Sequence, residues 1–132
     1  MKDALLEFGS VTGIPDTSAV AYPNEIDFGG IDARRKFQRH NNADGEMNYL
    51  CNRFSKDVAS TVTITIQSKP TETGAYVTQA VHTLINPKGN VEHRVPMPAE
   101  FDRFVKVQIY AAAADASATA TAWIQRGAAV AV

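Results

Sequence analysis

His82 and His93 flank the segment Asn86–Asn90, and Cys51 is the only cysteine of the chain. Two imidazoles on either side of a turn could meet and begin a metal site. A stable site needs further ligands, and no carboxylate or third histidine stands at a companion spacing. The two are better read as ordinary strand histidines. A cysteine nucleophile needs a base beside it and a group that orients the base. No local nucleophile signature surrounds Cys51, so it reads as a small core hydrophobe. Glu25, Asp27 and Asp32 are too sparse for a calcium loop, which wants dense oxygen ligands at regular spacing. A glycine-rich phosphate loop and a dinucleotide fingerprint are both missing. These residues predict a protein without catalytic groups, metal or cofactor.

Other residues could bind rather than react. Arg34, Arg35, Lys36, Arg39 and His40 enclose Phe37 and Gln38 in one basic stretch. Such a stretch can grip an acidic protein surface, with Arg34, Arg35, Phe37 and Arg39 as contacts, or it is simply a solvated loop. Leu5, Leu6 and Phe8 make the first residues apolar. They are too apolar for a free tail and too few for a core of their own. They therefore anchor the chain on a partner or sister subunit, or fold back on their own domain. Trp123, Tyr49, Tyr76 and Tyr110 could stack on sugars if two or three of them shared one exposed face.

The elements that must position these residues are strands. Val62, Ile64 and Ile66 alternate with Thr61, Thr63 and Thr65. Val105, Val107 and Ile109 alternate with Lys106, Gln108 and Tyr110. Ala118, Ala120, Ala122 and Ile124 alternate with Thr119, Thr121, Trp123 and Gln125. Period-two alternation sends one set of side chains to each face of a strand. Val62, Ile64, Ile66, Val105, Val107, Ile109 and Ile124 are thus predicted to face a core.

Around these runs, Met1–Gly9 reads as a short arm and Ser10–Ser18 as a loop. Ala19–Phe28 reads as an extended edge segment disturbed by Pro23. Met47–Phe54 is a further strand. Lys69–Gly74 is a hairpin loop returning through Ala75–Ile85, and Asn86–Asn90 is a second turn before Val91–Val95. Arg103–Ala112 and Ser117–Gln125 are predicted to close a last hairpin, and Gly127–Val132 is an apolar tail. The expectation is one all-β domain over 1–132: an antiparallel β-sandwich of about eight strands, with a jelly roll as the leading topology.

Composition sets outer bounds. The 132 residues are 45% hydrophobic and 20% charged, enough for a real core and against disorder. The net charge of −1 gives no basic surplus to displace counterions from phosphates, so nucleic acid is a poor partner. No apolar run is long enough to span a membrane. Met1–Phe8 lacks the long apolar stretch of a secretory signal. A lone cysteine predicts stability without disulfides and synthesis in a reducing cytoplasm.

The order of segments resembles the jelly-roll capsid cement, or decoration, proteins of tailed bacteriophages, in particular the family known from short-tailed phages. Asp3-Ala4-Leu5-Leu6-Glu7-Phe8 is similar to that family's N-terminal arm, and Asn24-Glu25-Ile26-Asp27-Phe28-Gly29 to its segment ending in Ile-Asp-Leu-Gly. Arg94-Val95-Pro96-Met97-Pro98 followed by Arg103-Phe104-Val105-Lys106-Val107 resembles its proline-punctuated crossover, and Ala118–Ile124 its closing strand. Gly30–Asn48 is more basic and polar than the family pattern, and the last segment richer in alanine. The resemblance implies a virion protein made in the host cytoplasm that binds the outer capsid surface. It would bridge neighbouring major capsid protein subunits, as a homodimer or, in some phages, a trimer. The alternative class is a carbohydrate-binding jelly roll on a virion or cell surface.

Overall fold

The computed structural model describes residues 6–28, 46–98 and 101–128. Within them lie nine strands: β1 (Glu7–Ile14), β2 (Val20–Ala21), β3 (Ile26–Asp27), β4 (Glu46–Phe54), β5 (Val62–Lys69), β6 (Val77–Leu84), β7 (Glu92–Pro96), β8 (Phe104–Ala111) and β9 (Asp115–Ala128). Two antiparallel sheets form a β-sandwich. One has the order β1-β9-β4-β7, the other β2-β8-β5-β6, with β3 also pairing β8. Tyr22-Pro23-Asn24-Glu25 interrupts what would otherwise be one strand, because proline cannot donate to a ladder. Counting β2 and β3 together leaves four strands against four. The chain crosses between sheets at every connection except β2–β3 and β5–β6, and this order is that of a jelly roll.

The alternation works as the physics requires. β5 reads buried and half-buried in strict turn along its whole length. All seven predicted core aliphatics are buried: Val62, Ile64, Ile66, Val105, Val107 and Ile109 completely, Ile124 almost so. Ala118, Ala120 and Ala122 of β9 join them, together with Leu50 and Phe54 of β4. Each large aliphatic buried in this way contributes about 1.5–3 kcal/mol before entropy is counted.

Four expectations need correction. Ser10–Ser18 is not a loop throughout, since β1 runs to Ile14 and pairs β9 with register shifts at Glu7/Gly9 and Thr12/Ile14. Gly9 and Gly13 have φ of +92° and +87°, which glycine adopts at no steric cost. They bulge the strand and break its alternation. β8 and β9 do not form a hairpin: β8 pairs β2, β3 and β5, whereas β9 pairs β1 and β4. The chain between them crosses from sheet to sheet, held where Ala111 N donates to Pro15 O at 2.8 Å and Ala112 N to Thr61 O at 2.8 Å.

The segment 86–90 likewise carries the chain from β6 in one sheet to β7 in the other. Asn86 and Asn90 take left-handed φ of 45° and 58°, which asparagine tolerates. The segment docks on the end of β4 and the residues after it: Val58 N donates to Pro87 O at 2.9 Å, Asn90 N to Phe54 O at 2.7 Å, and Gly89 N to Asp57 Oδ1 at 2.8 Å. The supposed tail is also partly strand, since Gly127 and Ala128 pair Met47 and Glu46.

Candidate docking surfaces

The sheets separate the groups that could have reacted. His82 lies on β6 and His93 on β7, in different sheets. Each is held by a carbonyl, which can only accept, so each Nε2 donates: His82 to Pro96 O and His93 to Lys88 O, both at 3.0 Å. Cys51 is buried on β4, its Sγ donating to Gln125 Oε1 at 3.9 Å. Burial pushes its thiol up to about 12, and the nearby Glu92 carboxylate adds in the same direction. Glu25 meets Lys69 at 3.6 Å, and Asp27 accepts two bonds from Arg103 at 2.7 and 3.0 Å that pin β3 to the start of β8. Asp32 lies outside the described residues. Among the described residues, no three histidine, cysteine or acidic side chains are grouped to hold a metal ion.

The aromatic residues do not make a sugar platform. Trp123 is buried and donates through Nε1 to Gln125 Oε1 at 3.4 Å. The Tyr76 ring has the ammonium groups of Lys69 and Lys106 at 4.7 and 4.4 Å from its centre. The Arg94 guanidinium lies 5.8 Å from the Tyr49 ring centre. Tyr110, opposite Thr63 of β5, is 37% exposed.

The apolar arm is resolved differently from its expected outward role. Leu6 and Phe8 are buried, Phe8 completely, in the chain's own core. β1 pairs β9 at one margin of its sheet, and this pairing turns Phe8 inward. Neither side chain is available to a capsid or sister subunit, so both are withdrawn as contacts. Leu5, Arg34, Arg35, Phe37 and Arg39 lie outside the described residues.

Two surfaces that the sequence reading missed stand on opposite sides of the sandwich. The first is an open apolar groove of about 500 Å³ where the β1 and β2 margins of the two sheets meet. Val11, Ile14 and Pro15 line it from β1 and its end, Val20 from β2, and Ala114 and Ala116 from the crossing into β9. Residues far apart in the chain build it, which left no local signal. Gly13 also lines it and, bearing no side chain, leaves room there.

The second surface is the β6 margin. Val77 and Val81 of β6 are each 58% exposed, and Ile85 just beyond it is 78% exposed. With Val91 they are the exposed large aliphatics among the described residues. The signal was present in the sequence: Val77–Leu84 reads VTQAVHTL, without a charge, proline or glycine.

A scan of the chain against models of known protein families finds no match. A search among curated proteins finds none either.

Proposed function

We propose that this chain is a capsid decoration protein, a sandwich that acts by docking rather than by catalysis. On this reading it sits on the outer surface of a phage shell and bridges neighbouring major capsid protein subunits. It opposes the outward pressure of packaged DNA. The observation that carries the reading is the apolar groove between the β1 and β2 margins. Its rim residues Ala19, Ala114 and Ala116 are small and exposed, so an apolar side chain from a protein surface can enter without rearrangement. Full burial of one such side chain contributes about 1.5–3 kcal/mol. Shell symmetry repeats the contact at every equivalent site, and linkage between contacts raises the effective concentration of each further one. The buried Trp123 and the lysine-covered Tyr76 weigh against the glycan-binding alternative.

The test is cosedimentation of the full chain with purified capsid shells of the phage that encodes it. The double variant Ala19→Glu/Ala114→Glu places charge at the rim, where both positions are exposed. The reading expects saturable binding by the parent chain and its loss in the variant, with unchanged melting. Equal binding by both would remove the groove as the docking site, and no binding by the parent would remove the reading.

A further inference from the structure

We propose that the outer face of the β2-β8-β5-β6 sheet carries a binding site for a single carboxylate, built around Tyr76 from Lys69, Lys106 and Gln67. Val62, Ile64 and Ile66 of β5 point inward, so Gln67 and Lys69 point outward. The ladders set Lys106 of β8 and Thr78 of β6 on either side of Gln67. Phe104 stands opposite Lys69 and shares this outer face. It is buried there, with the charges of Lys69 and Arg103 at 5.4 and 4.6 Å from its ring centre. Tyr76, just before β6, meets two ammonium groups, Lys69 at 4.7 Å and Lys106 at 4.4 Å from its ring centre. Two aromatic rings thus floor a patch of cations, and an ion pair formed over such a floor is less screened than one surrounded by water.

The cations are not equally neutralised. Lys69 has Glu25 Oε2 at 3.6 Å and donates to Glu72 O at 2.9 Å. Arg103 donates to Asp27 at 2.7 and 3.0 Å. Lys106 has no carboxylate within ion-pair distance among the described residues, and its contact is the Tyr76 ring. Two like charges therefore share one ring, and one of them lacks a counterion. A second, independent sign lies in the same cluster. The Tyr76 hydroxyl and Gln67 Oε1 are buried without a hydrogen-bond partner among the described residues. A buried polar atom left unpaired costs its full desolvation. The Gln67 amide can turn end for end, because the Thr78 hydroxyl that accepts from Nε2 at 3.4 Å can equally donate. Gln67 then adds an N–H to the Tyr76 hydroxyl and the Lys106 ammonium, a donor set that suits an oxyanion. Lys106 is half-buried and held by a ring face alone, so its flexible stem can swing aside and close over an entering group.

The acids at the border select the ligand. Glu25, Asp27 and Glu72 flank the cluster and repel a phosphate dianion or a run of negative charges. One carboxylate supplies the one missing charge. Its source is an acidic side chain on the protein against which the sandwich docks. Lys106 lies two residues from Gln108, which pairs Ala21 beside the groove residue Val20, so one partner surface can meet both places. That source rests on the decoration reading, whereas the site itself does not.

The first experiment uses the full chain without capsid and acetate as the probe, so its failure is separate from failure of shell binding. Amide NMR spectra are recorded during an acetate titration, with chloride at equal ionic strength as control. The proposal expects saturable shifts at the Gln67 side-chain amide and the Lys106 backbone amide with acetate alone. Lys106→Gln and Tyr76→Phe should each weaken acetate at least threefold without lowering the melting temperature, and Lys106→Arg should keep it. Tyr76→Phe retains the ring, so a purely structural cation–ring contact would leave acetate unaffected by that change. Shifts that chloride reproduces, that do not saturate, or that the variants leave unchanged overturn the site. On capsid shells, Lys106→Glu should bind at least tenfold more weakly than the parent, and equal binding overturns the docked acid as the source.

Discussion

Ile64→Ala is the substitution whose cost follows most directly from this architecture. Ile64 sits in the middle of β5, wholly buried, with His82 opposite on β6 and Ile109 opposite on β8. The change removes three buried carbons, about 2.4 kcal/mol at about 0.8 kcal/mol each. Strands on both sides hold the backbone, so the space cannot fully close. If about 50 Å³ stays open, the cavity adds about 1.2 kcal/mol at about 24 cal/mol per Å³. The expected loss is therefore about 3.6 kcal/mol. Urea unfolding followed by Trp123 fluorescence should show the midpoint fall by about 2 M, for a slope of about 2 kcal/mol/M. Val81→Ala, on the exposed side of the neighbouring strand, should stay within about 0.5 kcal/mol of the parent. A cost below about 1 kcal/mol for Ile64→Ala, or equal costs for the two, would refute the assignment of faces.

Further outcomes are expected. The Tyr22 hydroxyl is buried without a hydrogen-bond partner among the described residues, so Tyr22→Phe should raise the urea midpoint, by about 1 kcal/mol in stability. Cys51, with its thiol raised to about 12, should resist alkylation by iodoacetamide at pH 8 in the native protein and react promptly in urea. The Gly89 N–H holds the Asp57 carboxyl below its usual range, assisted by Lys88 against the opposing effect of desolvation. A depressed pKa adds stability above the unfolded value near 4 and loses it as pH falls through the folded value. Asp57→Asn should therefore lower the melting temperature at pH 7, and the difference from the parent should shrink steadily below pH 4.

What the sequence made legible was what depends on local period. β5, β8 and β9 each keep one apolar face, and their inward residues could be named from alternation alone. β1 was hidden because Gly9 and Gly13 bulge it twice, so its residues do not alternate cleanly. The β8–β9 and β6–β7 connections look like hairpins because a short turn between two strands reads alike whether the strands pair or cross to opposite sheets. Long-range partners decide the difference: β1 and β4 take β9, and the end of β4 and the residues after it take the 86–90 segment. Leu6 and Phe8 looked too few to form a core. They needed none of their own, since pairing with β9 delivers them into an existing one. The groove was invisible for the same reason, being assembled from β1, β2 and the start of β9.

The most direct test of the proposed decoration role is a cryo-electron microscopy map of capsid shells incubated with this protein. The sandwich is expected on the outer surface, with its β1/β2 margin seated on the major capsid protein and density from that protein entering the groove beside Val11 and Val20. Density for the sandwich absent from the shell would contradict the function, and density seated by another face would contradict the groove as its means of attachment.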